Sequence, residues 1–465
     1  MKYSLLEVAG IVDGEILQGD PFAEAESVSI DSRTDVRGSL FCAICGERVD
    51  AHDHINEVAA KGAVGAIVEK PVEVPDPRFG IVLVQSTTQA LGKLAADYLA
   101  RMQVDVIGIT GSVGKTSTKD LVSSVLNQRF KTYKNPGNMN SHIGLPLAVM
   151  QMETGYRYAV LEMAMRAKGE IRELCGIAKP KFGVLTDISE SHIGVLGSID
   201  KIASAKAEIL ESLPDDGIAF LCWDSEFVRK VSDRAKCRVV SYGLRDDADC
   251  RAFDIHKVDE STYQFKAGYL GKAEEFILHM PGFHQIQNSL AAIAIGYELG
   301  LSTDEVRSGL CNVDLSPMRQ EVVHTEKVTI VNDAYNASVK STKAALDLLH
   351  DIPGIRKIAV LGDMLEMGEY APKAHFEVGV YARNKADILI AVGPLSIHTK
   401  QGWDHARSQG TDETAFWFSD KDKALDFISH LLQRGDVYLV KASRGMQFES
   451  IVDVLRELGN SCDWG

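Results

Sequence analysis

The chain has 465 residues and a formal net charge of −15, and its length predicts about two to four domains rather than one. The acidic balance argues against a nucleic-acid partner, since such a partner favours a basic surface. No apolar run approaches the roughly 20 residues that a membrane-spanning helix needs, and Glu7 falls where the apolar core of an export signal would lie. We therefore expect a cytoplasmic protein without a membrane span and without bound nucleic acid.

Residues 1–100 have the pattern of a small α/β domain. Short apolar segments bounded by glycine, proline and charged residues predict strands at residues 39–44, 63–68 and 80–84. The polar sequence Asp31-Ser32-Arg33 precedes the first of them and by itself indicates only a turn. Cys42 and Cys45 have no second pair at zinc-finger spacing, so we interpret them as buried thiols rather than as a metal or redox site.

A glycine-rich turn follows the apolar strand at residues 106–110 and leads into an amphipathic helix. Such turns direct several backbone N–H groups at one anion, and the helix N-terminus adds its dipole. Lys115 supplies a positive charge for the β- and γ-phosphates, and Thr116 supplies a hydroxyl for Mg²⁺. Ile109 stands where the common spacing has a glycine. The strand, turn and helix together predict an ATP-type phosphate loop at the start of a central parallel sheet in residues 101–314.

Two later strands of this segment end in residues that can carry chemistry. Glu162 follows the apolar run 158–161, and His192 follows the run 182–188. Ligands of open α/β sheets bind at the carboxyl ends of parallel strands. A carboxylate there commonly holds Mg²⁺ beside a phosphate loop, which favours a metal-binding role for Glu162, whereas His192 by itself indicates only a polar loop.

The sequence between these strands is dense in asparagine, glycine and proline over residues 135–146. Its amides, including Asn138 and Asn140, are suited to binding phosphates and sugar hydroxyls. The helix that follows His192 contains Lys201 and Lys206, and the composition does not indicate which of them faces inward.

Residues 315–465 show a third strand–helix pattern, with predicted parallel strands at 328–331, 357–361, 387–392 and 436–440. Each strand ends in a polar tip, the layout of a Rossmann-like domain. None is followed by the sequence G-x-G-x-x-G, which argues against a bound dinucleotide.

In sequence and in order, these motifs resemble those of the Mur ligase family of peptidoglycan synthesis. The matching segments are Asp31-Ser32-Arg33 with Gly38 and Phe41, residues 110–116, residues 137–140 with 143–146, residues 333–337 and residues 362–369. The last two resemble the branch of the family that adds D-alanyl-D-alanine.

The resemblance implies three domains and one reaction. It places a UDP-substrate domain at residues 1–100, an ATP domain at 101–314 and a domain for the incoming D-alanyl-D-alanine at 315–465. The implied reaction is ATP-dependent amide-bond formation, through an acyl phosphate, between UDP-N-acetylmuramoyl-tripeptide and D-alanyl-D-alanine. The third residue of the tripeptide, lysine or a diaminopimelate, stays open, and a monomer is expected.

The resemblance also implies roles for individual residues. For ATP these are Gly111, Ser112, Val113, Gly114, Lys115, Thr116, His284, Asn288 and Arg319. For the two other substrates they are Ser32, Arg33, Asn138, Asn140, Asp333, Tyr335, Asn336, Lys441, Ser443 and Arg444. For two Mg²⁺ ions they are Thr116, Glu162, His192 and Lys206, with Lys115, Lys206 and His192 as catalytic residues.

Lys206 matches the position of an N-carboxylated (carbamylated) lysine in that family. An ammonium group beside Mg²⁺ would repel it, whereas a carbamate supplies the oxygen ligands that Mg²⁺ prefers. Only a lysine that can lose its proton reacts with CO₂, and nearby cations favour that loss.

Three alternatives stay open at this point. They are a related ligase that adds a single amino acid or a glutamate to folate, a kinase or switching NTPase, and an inactive binding protein with the same fold. The combination of Glu162, His192 and Lys206 disfavours the last two, because a switch does not need a second metal site. Departures from the family pattern at Ser141, Ala164 and Val339 bear on substrate contacts rather than on the reaction.

Overall fold

The computed structural model describes residues 2–46, 49–191, 193–406 and 414–461. Their strands form three large sheets in chain order, together with one two-stranded ribbon. The predicted class, α/β with a small amino-terminal domain, a central parallel-dominated sheet and a Rossmann-like carboxy-terminal domain, is confirmed. Within the described residues, no helix has the length and apolar character required to cross a membrane.

The amino-terminal region forms a five-stranded sheet of order β2-β7-β6-β5-β4 and a β1-β3 ribbon. Its elements are β1 (Tyr3–Ser4), α1 (Leu5–Val12), β2 (Glu15–Gln18), β3 (Glu24–Ala25), β4 (Ser27–Ser29), β5 (Ser39–Cys42), a 3-10 helix (Ala51–His54), α2 (Ile55–Ala60), β6 (Gly65–Val68), β7 (Gly80–Leu83) and α3 (Thr87–Met102). Strands β5 and β6 are buried throughout, as their continuous apolar sequences predict. Cys42 is buried but Cys45 is exposed, so the prediction of two buried thiols is wrong for Cys45.

The central region forms a nine-stranded sheet of order β16-β15-β14-β13-β12-β11-β8-β10-β9. Its elements are β8 (Asp105–Thr110), α4 (Lys115–Leu126), β9 (Thr132–Lys134), α5 (Gly144–Met150), β10 (Tyr158–Glu162), α6 (Glu170–Ala178), β11 (Phe182–Leu185), α7 (Ile193–Leu196), α8 (Ile199–Lys206), α9 (Glu208–Glu211), β12 (Ile218–Cys222), α10 (Glu226–Lys230), a 3-10 helix (Ser232–Arg234), β13 (Arg238–Gly243), β14 (Cys250–Lys257), β15 (Thr262–Tyr269), β16 (Lys272–His279), α11 (His284–Glu298) and α12 (Thr303–Cys311).

The expected strand–helix alternation holds as far as β13 and then stops. Strands β8 to β14 pair in parallel, whereas β14, β15 and β16 follow one another as antiparallel neighbours. Buried and more exposed residues largely alternate along β15 and β16, as expected for antiparallel strands with one face on the core. This antiparallel extension lies at the end of the sheet away from the phosphate loop.

The order of the parallel strands determines where ligands can approach. Strand β8 lies between β10 and β11, with Glu162 paired to Ile109 and Leu185 paired to Thr110. The carboxyl ends of the three strands are therefore adjacent, and the loops that leave them meet at one edge of the sheet.

The carboxy-terminal region forms a six-stranded sheet of order β17-β18-β22-β19-β20-β21, parallel except for the edge strand β17. Its elements are β17 (Glu321–His324), β18 (Thr329–Asn332), α13 (Val339–Asp351), β19 (Arg356–Gly362), a 3-10 helix (Leu365–Tyr370), α14 (Ala371–Ala382), β20 (Ile388–Val392), α15 (Ile397–His405), β21 (Ala415–Phe418), α16 (Lys421–Leu431), β22 (Asp436–Lys441), a 3-10 helix (Arg444–Met446) and α17 (Glu449–Asn460).

The segment that joins the central and carboxy-terminal sheets is attached to the helix of the phosphate loop. The Ser316 amide donates to Asp120 Oδ2 at 2.8 Å, and Lys134 Nζ donates to the Asp314 carbonyl at 2.7 Å. The predicted boundary near residue 100 falls in the last turn of α3, and the one near 315 falls between α12 and β17. Both boundaries stay predictions.

Candidate active site

A cavity lies between the carboxyl edge of the central sheet and the carboxy-terminal sheet. Many of the predicted site residues line it: Ser112, Val113, Gly114, Lys115, Thr116, Asn140, Glu162, His284, Asn288, Arg319, Asp333, Tyr335, Asn336 and Lys441. The structure thus brings together residues that are separated by more than 300 positions along the chain.

The phosphate loop between β8 and α4 requires glycine at two positions. Gly111 and Gly114 have φ angles of +153° and +85°, a region that residues with a side chain rarely adopt. A Cβ atom on Gly111 would lie 2.0 Å from Thr186 Oγ1, and one on Gly114 would lie 2.6 Å from Asn288 Oδ1. The loop is also attached to the neighbouring strand, because the Ser112 amide donates to the Asp187 carbonyl at 2.6 Å.

Two lysines converge on one carbonyl of this loop. Lys115 Nζ and Lys206 Nζ donate to the Gly111 carbonyl at 2.9 and 2.8 Å. Lys206 is 1% exposed at the end of α8, and burial together with the charge of Lys115 lowers its pKa well below that of an ordinary lysine. Lys201 on the same helix is exposed, so Lys206 is the lysine that faces inward.

Glu162 is held at the tip of β10 by two side chains. Its Oε2 atom accepts a hydrogen bond from Thr116 Oγ1 at 2.6 Å, and its Oε1 atom accepts one from Asn140 Nδ2 at 2.8 Å. Burial alone would raise the pKa of this carboxyl, but the cations Lys115, Arg319 and Lys119 outweigh it and lower the pKa. Glu162 is therefore an ionised, pre-oriented carboxylate.

Helix α11 points its N-terminal turn into the cavity. Asn288 Nδ2 donates to Gln285 Oε1 at 2.9 Å, which fixes the Asn288 amide. Burial, with Lys441 and Lys340 nearby, lowers the pKa of His284 to about 4. His284 is thus neutral near pH 7 and can both donate and accept a hydrogen bond.

The carboxy-terminal sheet contributes a second group of charged side chains. The Arg319 guanidinium lies 4.0 Å from the centre of the Tyr335 ring, within the range of a cation–π interaction. Lys441 Nζ donates to Asp333 Oδ2 at 2.6 Å and to the Asn336 carbonyl at 2.8 Å. Because Asp333 and Lys441 are both buried, each needs the other to offset the loss of water.

Several predicted residues lie away from the lining of this cavity. Ser443 Oγ accepts from the Leu365 amide at 3.0 Å, and Arg444 pairs with Glu449 at 3.2 Å. Asn138 is exposed on its loop. Ser32 lies beside Arg33 on the amino-terminal domain, where Arg33 pairs with Asp31 at 2.7 Å. His192 lies outside the described residues.

The sequence reasoning missed other groups in and behind the site. Asp187 follows β11, and its Oδ1 atom lies 3.0 Å from Lys340 Nζ of the carboxy-terminal helix α13. Lys119 and Asn135 are buried behind Glu162. The position of Asp187 after an apolar strand could have indicated it. For Lys340 and Lys119 the sequence carries no comparable signal, whereas Asn135 is the first residue of the asparagine-rich segment 135–146.

The residues present fit a nucleotide-associated Mg²⁺. Mg²⁺ prefers oxygen ligands and is commonly bound by one or two carboxylates together with water and substrate phosphates. Thr116 Oγ1 and Glu162 Oε2 are two such oxygens, 2.6 Å apart beside the phosphate loop. Within the described residues, no group of three or more His, Cys, Asp or Glu side chains could hold a metal ion. Water and substrate phosphates commonly supply the remaining ligands of such an ion.

Family comparisons match all three regions of the chain. The Mur ligase family catalytic domain matches residues 24–99, the Mur ligase middle domain matches residues 109–296, and the Mur ligase glutamate ligase domain matches residues 318–444. The UDP-N-acetylmuramoyl-tripeptide–D-alanyl-D-alanine ligase of Bacillus subtilis (strain 168) is 36% identical over 463 residues, which cover 98% of this chain and 99% of that protein.

Solved structures agree with these matches. A crystal structure of MurF from Acinetobacter baumannii superposes with a TM-score of 0.90 at 28% identity, covering 98% of this chain and 99% of that one. The MurF ligase of Thermotoga maritima in complex with ADP gives a TM-score of 0.82 at 28% identity, covering 93% and 97%. The sequence match over nearly the whole length, the three domain matches and the shared architecture show that this chain belongs to the Mur ligase family.

Proposed function

We propose that the chain is an ATP-dependent ligase that joins D-alanyl-D-alanine to UDP-N-acetylmuramoyl-tripeptide in the synthesis of peptidoglycan precursors. The observation that carries this proposal is the convergence of Lys115, Thr116 and Glu162 in a cavity completed by the carboxy-terminal sheet. Lys206, outside the lining of this cavity, is hydrogen-bonded to the same phosphate loop. The choice of substrates is supported by the Bacillus subtilis ligase, which matches over almost its whole length.

The first chemical step brings two anions together. A carboxylate oxygen of the tripeptide attacks the γ-phosphorus of ATP, and the bond to the β–γ bridging oxygen breaks. The products are ADP, which departs, and an acyl phosphate of the tripeptide. Lys115 and the loop amides at the start of α4 offset the charge that accumulates on the phosphates. Arg319 adds a positive charge from the carboxy-terminal side.

The second step forms the amide bond. The neutral amine of D-alanyl-D-alanine attacks the acyl carbon to give a tetrahedral intermediate, which expels phosphate while the nitrogen loses a proton. Excluding water from the cavity between the two sheets would protect the acyl phosphate from hydrolysis. Asp333, Tyr335, Asn336, Lys441, Ser443 and Arg444 belong to the domain that we assign to the incoming dipeptide, residues 315–465.

Thr116 and Glu162 would hold one Mg²⁺, and His192 with a carbamylated Lys206 would hold a second. When bound, these ions neutralise phosphate charge and orient the γ-phosphoryl group. Burial and the charge of Lys115 lower the pKa of Lys206, which increases the fraction of the neutral amine that reacts with CO₂. That nitrogen attacks CO₂, forms an N–C bond and releases one proton.

The remaining assignments concern substrate contacts, cellular location and oligomeric state. His284 and Asn288 are placed on the adenine side of ATP, within an ATP domain of residues 101–314. We assign Ser32 and Arg33 to the uridine end of the UDP substrate, within residues 1–100, and Asn138 and Asn140 to substrate binding. We further propose a cytoplasmic location and a monomer.

The proposal is tested by incubating the purified protein with ATP, Mg²⁺, UDP-N-acetylmuramoyl-tripeptide and D-alanyl-D-alanine and measuring ADP. We expect ADP release only when both other substrates are present, with the pentapeptide product detected by mass spectrometry. Control reactions replace the dipeptide with D-alanine or the tripeptide substrate with folate and glutamate. ADP release with a single amino acid, or with a kinase acceptor alone, would contradict the proposal.

A further inference from the structure

A buried lysine lies one helical turn after the phosphate loop. Lys119 of α4 is 1% exposed, and its spacing from Lys115 and Thr116 places all three on neighbouring positions of one helix face. Its Nζ atom donates to the Asn135 carbonyl at 2.8 Å. Burying an ammonium group is unfavourable unless it is paired or hydrogen-bonded, so this contact is the reason that Lys119 can occupy the position.

Asn135 connects Lys119 to the backbone of Glu162. It is fully buried and immediately follows β9. Its Oδ1 atom accepts from the Glu162 amide at 2.9 Å, and its Nδ2 atom donates to the Glu162 carbonyl at 3.1 Å and to the Met139 carbonyl at 2.7 Å. One side chain thus holds both backbone polar groups of Glu162.

The other end of the same loop holds the Glu162 side chain. Asn140 Nδ2 donates to Glu162 Oε1 at 2.8 Å, and the Asn140 carbonyl accepts from the Ala164 amide at 2.9 Å. The loop 135–140 is therefore fixed to the tip of β10 at both ends, and Lys119 of α4 is hydrogen-bonded to its first residue. Removing the Lys119 ammonium would leave the Asn135 carbonyl buried without its donor.

From these contacts we infer that Lys119 is a positioning residue for the Mg²⁺ that accompanies the nucleotide, acting through Asn135 to hold the Glu162 carboxylate beside Thr116. The inference rests on the proposed function, since it requires a nucleotide with Mg²⁺ at the phosphate loop. Groups that orient a metal ligand commonly change metal affinity by about 10- to 100-fold when removed.

The experiment measures the dissociation constant of ADP by calorimetry, once with EDTA and once with saturating Mg²⁺, for the full chain and its variants. The ratio of the two constants is the Mg²⁺ enhancement of ADP binding. Lys119→Met removes the donor at similar side-chain length, and Lys119→Arg keeps a charged donor. Lys134→Met is the matched control. Lys134 pairs with Asp120, the neighbour of Lys119 in the sequence, at 3.1 Å and with Asp314 in the segment that joins the two sheets, rather than with the loop 135–140 that holds Glu162.

For Lys119→Met we expect ADP affinity in EDTA within about twofold of wild type, because the phosphate loop itself is intact. The Mg²⁺ enhancement should fall at least about tenfold, or vanish where the wild-type enhancement is smaller. Lys119→Arg should recover most of it, and Lys134→Met should retain it. Where Lys119→Met fails to fold, Lys119→Gln replaces it with the same expectation.

Two results would overturn the inference while leaving the proposed function intact. One is an unchanged Mg²⁺ enhancement in Lys119→Met and Lys119→Gln. The other is an equal loss of ADP affinity with and without Mg²⁺, which would show that Lys119 supports the whole phosphate loop. A wild-type protein whose ADP binding is indifferent to Mg²⁺ would overturn the premise of the inference, the Mg²⁺ site at Glu162, while the proposed function would still be decided by ADP release with both substrates.

Discussion

The two sides of the cavity are constructed differently. On the central side, the site residues form hydrogen bonds within their own domain. Lys115 and Lys206 donate to the Gly111 carbonyl, and Glu162 accepts from Thr116. On the carboxy-terminal side, Arg319 lies on Tyr335, and these side chains reach the cavity from a separate sheet. The two sides meet through contacts such as the ion pair of Asp187 with Lys340.

This difference indicates which part of the chemistry is pre-formed. The phosphate-binding groups keep their geometry through contacts local to the central sheet, so they need no second domain to be oriented. The carboxy-terminal groups also contact one another, as Lys441 does with Asp333. Their position relative to the phosphate loop, however, depends on how the two sheets dock, a property that commonly changes when substrates bind. Met318 and Gln320, which flank Arg319, have φ angles of +59° and +54°, so the backbone is strained in the segment that presents Arg319 to the cavity.

The largest expected effect comes from the pre-formed side. Replacing Lys206 by alanine removes a group that contacts the phosphate loop and, as a carbamate, would hold metal, so we expect kcat to fall about 10⁴-fold. Lys201→Ala, an exposed lysine on the same helix, should change kcat by less than about twofold. Steady-state ADP release with all substrates measures both.

The chemical state of Lys206 can be observed separately. After equilibration with ¹³C-labelled bicarbonate, the wild-type protein and Lys201→Ala should show a carbamate resonance that Lys206→Ala lacks. Full activity in Lys206→Ala, or the same resonance in that variant, would exclude the assigned role.

How much of this site the sequence could predict depends on the range of the interactions. The phosphate loop is a local pattern, so Gly111–Thr116 and the strand-end Glu162 were predictable from consecutive residues. Family resemblance added Lys206, which composition alone could not separate from Lys201. Lys119 and Asn135 act only because α4, β9 and β10 pack together, and Lys340 acts only because two sheets dock. Such contacts join residues that no local spacing relates. The antiparallel strands β14 to β16 were missed for a similar reason, since nothing in the preceding strand–helix pattern indicates where it ends.

A smaller effect is expected on the pH dependence of stability, through His284, which lies where the two sides of the cavity meet. The pKa of His284 is lowered to about 4, first by burial and then by Lys441 and Lys340 of the carboxy-terminal side, against about 6.5 for an unfolded histidine. Between these values the unfolded chain binds a proton that the folded chain does not. This contribution to stability is therefore complete above pH 6.5 and is lost as the pH falls toward 4. At pH 5 the loss amounts to at most about 2 kcal/mol.

The measurement is chemical denaturation of the ligand-free protein at pH 7 and pH 5. The wild-type protein should lose more stability between these pH values than His284→Gln, which cannot take up the proton. His430→Gln removes an exposed histidine of α16 and should behave like wild type. Equal pH dependence in wild type and His284→Gln would mean that His284 is not shielded by docking of the two sheets.

The smallest effect concerns the ion pair across the cavity. Lys340→Met removes the partner of Asp187, but the Lys340 side chain is 57% exposed, so solvent screening limits the pair to about 1 kcal/mol or less. Because the pair joins the two sides without belonging to the phosphate loop, its loss should weaken docking and raise the KM for ATP up to about fivefold, with kcat within about twofold.

The control for this prediction lies on the same helix, where Lys343 pairs with Glu377 inside the carboxy-terminal domain. Lys343→Met removes a comparable charge without touching the central side, so its KM for ATP should match wild type. The effect of Lys340→Met should also diminish at high ionic strength, where screening already weakens the wild-type pair. If Lys343→Met and Lys340→Met raised KM equally, the Asp187–Lys340 pair would not be what joins the two sides. Their docking would then depend on other contacts between the two regions, such as the pairs of Lys257 with Asp351 and of His324 with Glu260.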